Sequence, residues 1–182
     1  MEPNPPPASP PRPLGVAARA VLIVVTVAAL AALLWPRSGG RDRVGGGYLV
    51  DEGGRPVPLA AELAPVTLLH FWGTWCPPCL REIPELVRYA RENSDPALRV
   101  LFVAVNDDPA VARRFFGADE LPLYFDPMWE VANRYGTDQL PETHVVVGGQ
   151  VVKSFIGATA WSDPAVRAEL QKWTATPASA EP

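Results

Sequence analysis

The chain has 182 residues, a formal net charge of -4, 22 Pro, 14 Gly and 2 Cys. That length holds one ordinary domain with appendages. Two cysteines exclude a disulfide-rich mini-fold and a four-cysteine zinc site. A composition 48% hydrophobic and 20% charged excludes a chain disordered throughout.

Residues 1–13, MEPNPPPASPPRP, are Pro-rich and carry no apolar periodicity. They predict a solvated, polyproline-like tail. Leu14 to Trp35, LGVAARAVLIVVTVAALAALLW, holds one charge, Arg19, near its start. As a helix it spans about 33 Å, enough for a hydrocarbon core. With no polar face it reads as a transmembrane signal anchor rather than a buried core helix. A cleaved signal is the rival, but its best cleavage candidate, Ala29-Leu30-Ala31, lies inside the apolar run. No cysteine stands directly after the run, which argues against a lipoprotein anchor. Arg12 and Arg19 lie on the N-terminal side, and Arg37, Arg41 and Arg43 on the C-terminal side. Charge alone therefore favours a cytoplasmic C-terminal side. Residues 36–47, PRSGGRDRVGGG, predict a flexible linker. Five of the 16 basic and two of the 20 acidic residues lie in 1–47, which leaves the remainder 11 basic and 18 acidic residues, a charge of -7. Such a balance argues against nucleic-acid binding.

From 48 to 175 the pattern is that of one α/β domain. Tyr48 to Leu59 predicts a short hairpin around Asp51-Glu52-Gly53-Gly54. Pro65 to Trp72, PVTLLHFW, predicts a strand buried on both faces. Cys79 to Asn93 has helical apolar spacing, with Pro84 expected to bend the helix or break one backbone bond. Arg99 to Asn106 predicts a second buried strand. Pro109 to Phe116 predicts a short helix ended by Gly117. Leu121 to Phe125 predicts a short strand, and Met128 to Tyr135 a helix closed by Gly136. Thr143 to Val147 and Val151 to Ile156 predict a hairpin turning at Gly148-Gly149. Asp163 to Thr174 predicts a last helix capped by Ser162 or Asp163. Residues 176–182 predict a loose tail. A βαβα unit followed by a ββα unit implies a mixed central sheet flanked by helices.

The chemistry concentrates in Trp75-Cys76-Pro77-Pro78-Cys79. The two cysteines lie where a buried strand ends and a helix begins. Free N–H groups and the positive end of the helix dipole stabilise a thiolate at Cys76. The thiolate is the nucleophile of disulfide exchange, and Cys79, one turn in, is the resolving thiol. Pro77 suits a first helical turn, where its missing N–H costs nothing. A purely structural disulfide over so small a loop has little entropic benefit. His70 and His144 complete a two-Cys, two-His count, but lie in apolar strand runs without the spacing of a zinc site. No metal and no cofactor beyond a redox-active Cys76–Cys79 pair is expected.

HFWGTWCPPCLREIPEL closely resembles the active-site segment of membrane-anchored thioredoxin-like proteins of the TlpA/ResA/CcmG group. The resemblance extends over roughly 48–173, including Leu49 to Leu59, Leu121 to Tyr135 and the YGTDQLPETHVVV stretch. It implies a thioredoxin-like fold and a thiol-disulfide oxidoreductase. It implies that Pro141 is a cis-proline packed against the disulfide, and that Leu140 presents backbone groups to a partner chain. Glu82 matches an acid that assists proton transfer, and Glu142 a further acid near the site. The bland alternative makes both solvated surface charges. His70, where thioredoxin has a buried acid, reads as a neutral core histidine, with a proton relay to Cys79 as its functional alternative. His144 reads as packing. Pro-Glu-Thr at 141–143 leans toward the cytochrome c maturation branch. The resemblance further implies an inner-membrane protein with its domain in the periplasm, a membrane dithiol carrier as donor, and protein thiols or disulfides as substrates. This overrides the arginine bias around the anchor. Copper delivery by the two thiols is the alternative, since soft thiolates suit copper(I); no Met- or His-rich companion motif supports it. A thiol peroxidase would need a peroxide-activating setting that Gly73-Thr74-Trp75 does not supply.

Overall fold

The computed structural model describes Thr26 and residues 46–93, 96–117 and 121–174. Apart from Thr26, Gly46 and Gly47, the expected tail, membrane helix and linker lie outside the described residues, as does the tail over 176–182. Among the described residues no helix is long and apolar enough to cross a membrane. Residues 1–39 and 40–182 separate into two units, and all the elements below belong to the second.

In chain order the elements are β1 (Tyr48–Val50), β2 (Pro56–Pro58), α1 (Leu59–Glu62), β3 (Val66–Trp72), α2 (Pro77–Glu92), β4 (Leu98–Val105), α3 (Pro109–Arg113), β5 (Leu123–Asp126), α4 (Glu130–Arg134), β6 (Glu142–Val147), β7 (Gln150–Ile156) and α5 (Pro164–Thr174). They build a 7-stranded sheet in the order β2-β1-β5-β4-β3-β6-β7. β3, β4 and β5 run parallel, as connections through α2 and α3 require. β6 and β7 add an antiparallel hairpin beside β3, and β1 and β2 another beside β5. The sheet is mixed, as expected.

β3 is buried at every position because it has strands on both sides and helices on both faces. Its side chains alternate between two cores. Leu68 and Trp72 join Val100, Phe102 and Ala104 of β4, with Ile83 and Leu86 of α2 and Leu170 of α5. Leu69 and Phe71 join Leu101, Val103 and Val105, with Leu59 of α1 and Val131 and Ala132 of α4. His70 shares the parity of the first core and touches Phe102 edge-on at 5.9 Å between ring centres.

The sheet edges differ. β2 carries Pro56 and Pro58, neither of which has an N–H to donate to a further strand. β7 is irregular in register between Val145 and Val146 of its partner and places Lys153 on the edge. Gly148 and Gly149 both take positive φ, 55° and 76°, as a two-residue hairpin turn of primed type demands.

Several boundaries move for local reasons. α2 begins at Pro77 rather than Cys79, since the two prolines occupy its first turn without losing a needed N–H. Pro84 does not interrupt it; Pro84 is exposed, so water can serve the carbonyl its missing N–H leaves. α3 stops at Arg113, and turns carry the chain to Gly117, whose φ is +59°. Asp163 is the cap at α5, accepting from the Ala165 N–H at 2.7 Å. α1 is an element the apolar spacing did not announce.

Phe102 is fully buried and packs edge-on to Phe116 at 4.8 Å. Phe102→Ala is expected to lower the unfolding free energy by about 3–5 kcal/mol, read from urea denaturation.

Candidate active site

β3 ends beneath a turn held by three separate contacts. The Asp107 carboxylate accepts from the Thr74 N–H at 2.5 Å and from the Thr74 hydroxyl at 2.7 Å. The Trp75 indole N–H donates to the Val105 carbonyl at 3.1 Å. Gly73 allows this placement, because a Cβ there would lie 2.8 Å from the Trp75 ring nitrogen. The turn delivers Cys76 to the N-cap of α2, with its N–H bonded to the Gly73 carbonyl at 3.1 Å.

Cys76 and Cys79 form a disulfide, and Cys76 Sγ also accepts from the Cys79 N–H at 3.3 Å. Cys76 is 5% exposed and Cys79 fully buried, so the second sulfur is sealed from solvent. Pro77 and Pro78 fill the first helical turn; Pro77 is exposed and Pro78 half-buried. Trp75 stays half exposed, with its ring 6.2 Å from that of Trp129.

The Leu140–Pro141 peptide is cis. Pro141 is buried, and its carbonyl accepts from the Gly157 N–H at 2.9 Å. Leu140 is half-buried against both cores, one of which contains the two cysteines.

Neither acidic candidate is a solvated surface charge. Glu82, one turn beyond Cys79 on α2, is buried. Its Oε1 accepts from the Trp161 indole N–H at 2.5 Å, and its Oε2 has no partner. Burial pushes its carboxyl up to about 7, against the opposing Trp161 and Thr159 hydrogen bonds. The loop carrying Trp161 is tied to α2 by Ser162, whose hydroxyl donates to Glu85 at 3.1 Å. Arg167 binds the Trp161 carbonyl at 3.2 Å and Glu92 at 2.6 Å.

Glu142 is also buried, and burial raises its carboxyl although Thr137 donates to it. It pairs with Phe71 across the ladder and so faces the second core, away from α2. His144 shares that face. Its Nε2 bonds Thr137 Oγ1 and its Nδ1 bonds Ser154 Oγ, both at 2.8 Å. Burial lowers His144 to about 4, so its 3.7 Å approach to Glu142 joins a neutral imidazole to the acid at neutral pH. His70 Nδ1 bonds Thr143 Oγ1 at 2.8 Å, and its Nε2 has no partner. Burial lowers His70 to about 3, which makes it a neutral core histidine.

Trp161, Thr74, Asp107 and Trp129 escaped the sequence reading. The helix expected from Met128 starts at Glu130 instead. Asp126, at the end of β5, caps it by accepting from the N–H groups of Glu130 at 2.9 Å and Ala132 at 2.8 Å. The intervening turn leaves Trp129 left-handed, at φ 59° and ψ 20°. That conformation costs a residue with a Cβ about 1–2 kcal/mol.

Comparison with known proteins agrees with this geometry. The model of the AhpC/TSA family matches residues 48–155. The chain belongs to this thioredoxin-like family. It is 30% identical over 112 residues to the thiol-disulfide oxidoreductase ResA of Halalkalibacterium halodurans, covering 60% of this chain and 64% of that one. It is 29% identical over 116 residues to the sporulation thiol-disulfide oxidoreductase A of Bacillus subtilis, covering 59% and 66%. The chain thus spans a little under two thirds of the length of these relatives. The crystal structure of a thiol:disulfide interchange protein of the thioredoxin family from Chlorobium tepidum superposes with a TM-score of 0.58 at 19% identity, over 70% of this chain and 94% of that one. This likeness establishes the fold.

Glu82 supplies a stability test. A carboxyl raised from 4.5 to about 7 is protonated in both states at low pH and must ionise while buried at high pH. Stability from this group is therefore complete below pH 4.5 and falls as pH rises to about 7. Between pH 4 and pH 8, Glu82→Gln is expected to gain roughly 2–3 kcal/mol relative to the parent, read from urea unfolding with the disulfide intact. Parallel pH profiles for the two proteins would show that the carboxyl is not shifted.

Proposed function

We propose that the chain is a membrane-tethered thiol-disulfide oxidoreductase that reduces disulfides of target proteins. The observation that carries this is the cysteine pair at the start of α2, with Cys76 as N-cap and Cys79 sealed behind it. A helix N-terminus lowers the pKa of a cysteine placed there and favours attack by its thiolate. The names of the relatives, both thiol-disulfide oxidoreductases, support the same class.

In the reduced protein the Cys76 thiolate attacks one sulfur of a target disulfide. A mixed disulfide forms and the other target sulfur leaves as thiolate. Cys79 then loses its proton and attacks Cys76 Sγ. The second target sulfur leaves, the Cys76–Cys79 disulfide closes, and two electrons have passed to the target. Glu82, raised to about 7 and on the same helix one turn from Cys79, is suited to receive that proton. In this reading Trp75, Leu140 and Pro141 form the surface beside Cys76 on which extended target chains dock. A membrane dithiol carrier restores the thiols by the same two exchanges in reverse, becoming oxidised itself. The apolar run over 14–35 anchors the chain in the inner membrane with the domain in the periplasm. Targets of this reading are the disulfide-bonded haem-binding cysteines of apocytochrome c or a disulfide of a copper-site protein.

Thiol trapping of the full chain in defined redox buffers is the first test. A reversible two-electron couple toward the thioredoxin end of the scale, about -270 mV, fits a reductant; a value near -120 mV, at the oxidising end, would reverse the direction. Cys76→Ser is expected to abolish insulin reduction, and Cys79→Ser to accumulate the mixed disulfide. Absence of any couple, with stoichiometric copper(I) uptake instead, would replace this reading by metal delivery.

A further inference from the structure

Trp129 is a bulky residue held left-handed, and its ring leans on Trp75, the residue before Cys76, at 6.2 Å with the planes tilted by 43°. Glycine would occupy that backbone freely. A strained, half-exposed tryptophan next to an exposed one points to a use for the ring. The packing leaves Trp75 52% exposed, so the pair retains aromatic surface open to solvent at the residue that precedes Cys76 in the chain.

The surroundings of this face are acidic. Asp107 holds Thr74, the residue before Trp75, and the exposed Asp108 follows it. Glu130, exposed, follows Trp129, and Asp138, exposed, precedes the cis peptide by two residues. The bases near the site lie elsewhere. Arg81 is exposed on α2, and Arg134 lies along Gly46, where an added Cβ would meet its guanidinium at 2.8 Å.

We propose that Trp129 is a specificity-determining residue: with Trp75 it forms a two-ring seat for a Lys or Arg side chain adjacent to the target cysteine. A cation over tryptophan is attracted by the ring quadrupole, and the flanking carboxylates add to that attraction. The substrate class is a disulfide-bearing extended segment with a basic residue beside its cysteine. This rests on the oxidoreductase reading and narrows its substrates.

The test uses three synthetic peptides closed by one disulfide and differing only in the residue before the first cysteine: Arg, Leu or Glu. The reduced full chain is expected to favour the Arg peptide over the Leu peptide by about tenfold in kcat/KM, carried by KM, with the Glu peptide last. Added salt should shrink the gap. Trp129→Gly should bring the Arg and Leu peptides to within about twofold, while Trp129→Phe, which keeps a ring, preserves their order. Trp129→Gly fits the left-handed backbone, and an unchanged or raised melting temperature verifies its fold. Equal or better use of the Leu peptide by the parent, or a preference that survives Trp129→Gly, overturns the proposal. So does a parent that exchanges with dithiothreitol but reduces none of the peptides. A parent that does not exchange with dithiothreitol at all fails earlier, at the oxidoreductase reading.

Discussion

The structure hangs on β3. Its seven residues are all buried, with β4 on one side and β6 on the other. A strand so enclosed cannot shift register without driving a whole set of side chains into the wrong core. Its C-terminal end is therefore a fixed point. The turn that follows inherits that fixity and is bonded to neighbouring β4 through Val105 and to Asp107 just beyond it. The sulfur pair needs no flexible loop to position it, because its position follows from the most constrained strand in the sheet.

The same enclosure sets the electrostatics. Among the titratable groups in or against the sheet are the four site candidates of the sequence, and burial dominates the shift of each. His70 and His144 are driven down and Glu82 and Glu142 up, so all four favour their neutral forms. The two acids differ in consequence. Glu142 faces the second core among Thr137 and His144, with its hydroxyl donor supplied. Glu82 lies on the buried face of the cysteine helix with one oxygen unserved. An acid so poised changes charge near neutrality, and its protonation follows small changes in surroundings.

Much of this was legible from local pattern. Continuous apolar runs at 65–72 and 99–106 marked central strands, and adjacent glycines marked the hairpin at 148–149. The cysteine spacing at a strand-to-helix junction marked the site. What escaped was held by distance along the chain. Trp161 meets Glu82 across 79 residues, with no local periodicity to announce it. For Glu82 and Glu142 the resemblance supplied a functional reading beside the bland one of solvated surface charge, and pattern alone could not give their burial, because charged residues are mostly exposed and it is the packing of Trp161 and β6 that encloses these two. The start of α4 was misplaced because Met128 and Trp129 continue an apolar pattern, while the deciding group, Asp126, caps from the strand before.

The unequal sheet borders carry a consequence for crowding. An open strand edge is a template on which another chain can zip into a growing fibril. At β2 the prolines remove the donors such growth would need, and at β7 the irregular register and Lys153 spoil a flat, neutral edge. A sheet guarded on both margins resists edge-to-edge aggregation where copies of the chain are concentrated.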